Sequence, residues 1–135
     1  MATTNPYEEY IKTQFTTATP GKLLLMAYDG AIRFVKVAAE KMKEGKLDEQ
    51  SINIRKAQNI IAELMASLNP QANKELADSL SALYSYIFDR LTHANIKDDL
   101  RALNEVISIL TELRAAWAQA EEAIRTNATS KARAA

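Results

Sequence analysis

The apolar residues Ile54, Ala57, Ile61, Leu64 and Leu68 recur at steps of three and four. Leu76, Leu80, Leu83, Ile87 and Leu91 repeat the step, and Leu103, Ile107, Leu110, Trp117 and Ile124 carry it further. At about 100° per residue each set falls on one helical face with charges opposite, whereas a half-buried strand would alternate every second residue. The joints between these stripes are few. Asn5-Pro6 reads as an N-cap with proline at the first helical position, and Glu8 stands where a capping box needs an acid. Thr19-Pro20 repeats that start, and Gly45 can take the left-handed conformation that closes a helix. Asp48 is the expected cap of a third helix ending near Leu68, a fourth is expected to open near Asn73 and run to about Asn95, and Asp98 is the expected cap of a fifth running to about Arg125.

The expected architecture is all-α: four long helices on short connections, hence an antiparallel four-helix bundle, preceded by a short helical segment from Tyr7 to about Thr16. The whole chain, residues 1–135, is expected to form one domain. Residues 1–18 are expected to act as a mobile N-terminal lid. Residues 126–135 lack apolar periodicity and are expected to be a disordered tail.

The second helix carries more apolar surface than one core contact needs. Leu24, Ala27, Ala31, Phe34, Ala38 and Met42 define an expected core face, with Asp29, Arg33, Lys36 and Glu40 opposite. Leu25, Tyr28 and Ile32 extend round one shoulder, at i, i+3 and i+7, and Met26 and Val37 round the other. Such an excess asks for a second packing partner. The N-terminal segment, with Tyr7, Tyr10, Ile11 and Phe15, could cover it permanently. Alternatively that segment covers an apolar groove only part of the time, because an isolated helix of its length is barely stable. A removable cover over an apolar groove makes a peptide-binding site, in which a client helix is read through anchors at i, i+3, i+4 and i+7. Tyr86 projects away from the stripe of its own helix and is a further exposed candidate contact.

Composition narrows the chemistry. Three glycines and three prolines in 135 residues fall well below the roughly 12% typical of the two together, so a turn-rich sheet protein is excluded. Seventeen basic against seventeen acidic residues give zero net charge, which argues against nucleic acid or a membrane surface as partner. The longest apolar run, Leu23 to Tyr28, is far short of the ~20 residues of a membrane span. The start MATTNPYEEY has no basic-then-apolar leader pattern, so the cytoplasm is the expected compartment. No cysteine is present, and His93 is the single histidine, so neither a thiolate nor a multi-histidine metal site is expected. The acid pairs Glu8-Glu9, Asp98-Asp99 and Glu121-Glu122 are adjacent, and adjacent helical positions do not face each other. No glycine-rich phosphate loop or nucleophile–base pair appears, so no enzyme activity and no cofactor are expected.

The stretch Thr17-Ala18-Thr19-Pro20, followed by Leu23 to Phe34 (LLLMAYDGAIRF), resembles the signature of the flagellar secretion chaperone FliS family. Lys56 to Ile61 with Leu64, Leu83-Tyr84-Ser85-Tyr86 with Arg90-Leu91, Ala94-Asn95-Ile96, Glu105-Val106 and Leu113 to Trp117 follow in the same order. The likeness extends from about Asn5 to Ala120. It implies a bacterial cytoplasmic helical bundle that binds the C-terminal segment of newly made flagellin, prevents its early polymerisation and delivers it to the gate protein of the flagellar type III export apparatus. It further implies that Tyr7 and Tyr10 belong to a pair that caps the binding surface and docks to the gate. On this reading Leu25, Met26, Tyr28, Ile32, Val37 and Tyr86 are expected to contact flagellin, while Tyr7, Tyr10, Ile11 and Phe15 form the lid. An apolar mode of binding is expected to respond weakly to salt. A monomer or weak homodimer is expected. The rival reading makes the wide arc of the second helix the seam of a self-associating bundle, and a second rival is a cofactor-binding bundle.

Overall fold

The structure, a computed structural model, describes residues 5–14 and 20–134. It is all-α, with helices α1 (Pro6–Gln14), α2 (Pro20–Lys43), α3 (Leu47–Ala66), α4 (Lys74–Lys97) and α5 (Leu100–Ala134). Helix α2 packs on α3 and α5, α3 on α4, and α4 on α5, so the four long helices close a ring round one core. The connections are short, and each long helix is therefore antiparallel to the next. Helix α1 lies outside that ring, chiefly on α5.

The joints explain the register. Asn5 caps α1, its Oδ1 accepting from the Tyr7 amide at 3.0 Å. Gly45 has φ +72°, and two reversed bonds close α2: Gly45 N–H to Met42 O at 3.1 Å and Lys46 N–H to Lys41 O at 2.9 Å. Asn73 caps α4 by accepting from the Leu76 amide at 3.0 Å. Two expected caps lie elsewhere. Helix α3 begins at Leu47 behind Lys46 with no side-chain cap, which leaves Asp48 and Glu49 as acids in the first turn, where the helix dipole favours them. At the α4–α5 joint Asp98 takes the left-handed conformation (φ +51°) and ends α4. Asp99 caps α5 instead, accepting from the Ala102 amide at 3.3 Å, and this bond, followed by one from His93, holds its carboxyl below the usual range. Aspartate tolerates the left-handed region better than most residues, which is why the first of the two acids turns the chain and the second caps.

The core is formed by Ala31, Val35, Ala38, Ile54, Ala57, Ile61, Leu80, Ile87, Leu91, Leu103, Val106 and Leu110 with three large aromatics, Tyr28, Tyr84 and Trp117. The stripes of α3 to α5 fall largely as the spacing predicts, although Leu68, just past the end of α3, and Leu76, Leu83, Ile107 and Ile124 are only partly buried and Tyr84 takes a central place. The core face of α2 is rotated from the expected one. Tyr28, Ala31, Val35, Ala38 and Ala39 point inward, and Leu24, Ala27, Phe34 and Met42 pack at its margin. The expected tail is also corrected: α5 runs unbroken to Ala134, although Ala120 is its last buried residue among those described. A helix already nucleated by its buried turns adds one hydrogen bond per further residue, and the alanine, lysine and arginine of this segment propagate it well.

Candidate functional site

Tyrosine and tryptophan bury a large apolar body when their polar tips find partners. Those tips meet between α2, α4 and α5. The hydroxyls of Tyr28 and Tyr84 share a short hydrogen bond, and the Trp117 indole N–H donates to the Tyr28 oxygen at 3.0 Å. Burial pushes the Tyr28 phenol up to about 12, against the pull of its two hydrogen bonds. Burial drives the Tyr84 phenol still higher. Both groups therefore stay neutral, as neighbours in an apolar core must. Tyr28 is 0% exposed, so it cannot line an open groove, contrary to its expected place on a client-binding wall.

Helix α1 sits on the outer side of this cluster. The Tyr7 ring meets Trp117 edge-on at 4.6 Å between centroids, and Tyr10 does so at 5.6 Å. The Tyr10 hydroxyl donates to Ser67 O at 3.4 Å and accepts from the Asn69 amide at 3.0 Å, tying α1 to the α3–α4 connection. Tyr10 and Ile11 are buried and Tyr7 is half-buried. The expected short N-terminal helix is present, and it rests chiefly on α5 and does not run along the shoulder of α2. It approaches α2 at Gly21, where an added Cβ would lie 2.8 Å from Glu121 Cγ and 3.8 Å from Ile11 Cγ2. A side chain there would push against α5, so glycine lets α2 start in close contact. Phe15, and positions 1–4 and 15–18 of the expected lid, lie outside the described residues.

The outer surface of α2 remains open. Leu23 is 60% and Met26 65% exposed, and Leu25 and Ile32 are partly buried against the core. Val37 lines a groove of about 470 Å³ between α2 and α5, with Ala39 and Ile107 beside it. Of the five shoulder residues, Leu25, Met26, Ile32 and Val37 are therefore not sealed in the protomer, whereas Tyr28 is. Tyr86 is 43% exposed but stands on α4, across the ring from α2, so the structure does not bring it together with Met26. Its hydroxyl donates to Glu105 Oε2 at 2.5 Å, which raises its own pKa and lowers that of Glu105. Arg90 Nε donates to the other carboxylate oxygen at 2.8 Å.

Two features escape the sequence reading. Leu23 is as exposed as Met26, although it sits in the most apolar run of the chain. A second apolar groove of about 400 Å³ opens between α3 and α4, with Met65 and Phe88 among the small residues Ala62, Ala66 and Ser85. The signal for it was the small residue at i and i+4 beside a large one, which lowers the helix surface locally. His93 Nε2 lies 3.1 Å from Asp99 Oδ2, and among the described residues no three metal-ligating side chains gather. Among those residues no helix is long and apolar enough to cross a membrane.

The profile of a family described as Flagellar protein FliS matches residues 3–124. The flagellar secretion chaperone FliS of Bacillus subtilis is 43% identical over 125 residues, covering 93% of this chain and 92% of its own. That of Salmonella typhimurium is 33% identical over 110 residues, covering 81% and 82% respectively. That of Vibrio cholerae is 30% identical over 109 residues, covering 81% and 80%.

Proposed function

This chain belongs to the FliS family of flagellar secretion chaperones, and from that premise we propose that its client is the C-terminal segment of flagellin, held in the bacterial cytoplasm and released to the flagellar export gate. The observation that carries the reading is the exposure of Leu23 and Met26 on a bundle whose core closes without them. A disordered client that folds on binding buries on the order of 1,000–3,000 Å² and spends about 2–5 kcal/mol on ordering. Apolar burial at about 25 cal/mol per Å² exceeds that ordering cost, with the surplus reduced by the loss of translational and rotational freedom. Leu23, Leu25, Met26, Ile32 and Val37 supply apolar surface on one side of the bundle. Met65 and Phe88 supply it on the opposite seam, and Tyr86 stands beside α5. A client reaching all three must wrap round the ring. Seating the C-terminal segment of flagellin on these anchors would keep that segment from early self-assembly.

In this reading α1 is the lid. Displacing it frees Tyr7 and Tyr10 from Trp117 and presents both rings to the export gate, so a loaded chaperone differs from an empty one at the docking surface. The test is co-expression with flagellin and with flagellin lacking its C-terminal segment. Recovery of a one-to-one complex with the full chain alone supports the reading. Equal recovery of both, or of neither, overturns it.

A further inference from the structure

Trp117 is engaged on two sides. Its indole N–H donates inward to the Tyr28 oxygen at 3.0 Å, the single acceptor it has among the described residues. Towards α1 it meets the Tyr7 ring at 4.6 Å between centroids, with the planes at 85°, and the Tyr10 ring at 5.6 Å and 61°. With α1 in place Trp117 is 1% exposed. We infer that Tyr28 is a positioning residue for α1: its hydroxyl fixes the Trp117 indole in the orientation on which the Tyr7 and Tyr10 rings rest, and so sets how tightly α1 closes. Tyr28 itself belongs to α2 and is fully buried, so it acts on α1 through Trp117. The consequence for a client rests on the reading of α1 as a lid, whereas the link from Tyr28 to α1 stands on these contacts alone.

Ring orientation matters here because aromatic pairs gain beyond their buried area only in offset or edge-to-face geometry. Without the Tyr28 oxygen the indole N–H is a buried donor with no acceptor, and it has two responses. The ring can turn towards another acceptor, which breaks its geometry with Tyr7 and Tyr10. Otherwise it keeps its place and carries the penalty of an unpaired donor. The closed state alone bears that penalty, because once α1 lifts the ring is free to turn its N–H to water. In both cases opening of α1 becomes easier. Tyr84 supplies the control. Its hydroxyl shares a hydrogen bond with that of Tyr28 but makes none with Trp117. Losing it removes a buried bond from the bundle and leaves the indole its acceptor. Two other fastenings of α1 do not pass through Tyr28: the Tyr10 hydroxyl on Ser67 and Asn69, and Ile11 beside Gly21. Removing the Tyr28 hydroxyl therefore loosens α1 without stripping it of every anchor.

The experiment compares the full wild-type chain with Tyr28→Phe and Tyr84→Phe, all free of client. Phenylalanine keeps the ring and its buried area, so both variants fold. Hydrogen exchange is followed at the amides of residues 9–14, under conditions where its rate tracks the local opening equilibrium. Trp117 is the single tryptophan, so quenching of its fluorescence by acrylamide reads the same opening. Tyr28→Phe is expected to speed exchange in α1 by at least about fivefold and to increase quenching, as an orphaned buried donor in the closed state requires. Tyr84→Phe is expected to lower the urea midpoint yet leave both readouts at the wild-type level, because a general loss of stability does not favour the local opening of α1. Wild-type exchange in Tyr28→Phe, or equal loosening of α1 in the two variants, would overturn the inference. Flagellin affinity separates it from the lid reading. Should α1 loosen in Tyr28→Phe while flagellin binds no more tightly, the lid reading fails and the positioning role of Tyr28 stands.

Discussion

Three polar tips, the hydroxyls of Tyr28 and Tyr84 and the indole N–H of Trp117, satisfy one another in the core and hold α2, α4 and α5 together. Removing the middle member leaves the other two buried without it, and an orphaned buried group costs about 1–3 kcal/mol. Tyr28→Phe should therefore lower the unfolding free energy by that amount, read as a lower urea midpoint with little change in the slope by circular dichroism; an unchanged midpoint would contradict the network. The same cluster sets an alkaline limit. The Tyr28 pKa stands above its ordinary 10.0, at about 12, so the fold holds the neutral form. Its contribution is full below pH 10 and is lost as pH rises through about 12. Stability should thus fall over that interval, and phenolate absorbance from the buried tyrosines should appear only with unfolding. Tyr28 is also where residue-level reading failed. Hydropathy counts its hydroxyl against burial, and the partners that make burial favourable lie 56 and 89 positions away.

Elements show a different division. The starts at Asn5 and Asn73 and the stop at Gly45 were legible, because each depends on a side chain or a backbone freedom that one residue supplies. The choice between Asp98 and Asp99 was not, since either carboxylate can cap and only the three-dimensional turn decides which one bends left-handed. The continuation of α5 to Ala134 shows that propensity, once a helix is nucleated, needs no apolar stripe. Helix α1 has nine residues, too few to persist alone, and among its described apolar side chains only Tyr7, Tyr10 and Ile11 anchor it. It should open far more readily than the ring beneath it. Hydrogen exchange is expected to show residues 6–14 losing protection when flagellin is added, while the centres of α3 and α4 stay protected. Equal protection with and without flagellin would make α1 a fixed part of the fold.

At the scale of the molecule, four helices close a core of aliphatic and aromatic side chains and leave apolar groups outside it. The bundle itself was legible from apolar spacing and the scarcity of glycine and proline. The orientation of α2 was not, because a wide apolar arc permits several rotations and only packing between α3 and α5 selects one. That selection buries Tyr28, leaves Leu23 and Met26 in the open, and puts Val37 at a groove. The central claim is that these outward side chains hold flagellin. Calorimetric titration of flagellin into the wild-type chain and into Leu23→Asp/Met26→Asp tests it most directly, at low and at moderate salt. The double variant is expected to lose at least about a hundredfold in affinity, roughly 2.7 kcal/mol, with its melting temperature unchanged and the wild-type affinity nearly indifferent to salt. Full affinity in the double variant would contradict the account.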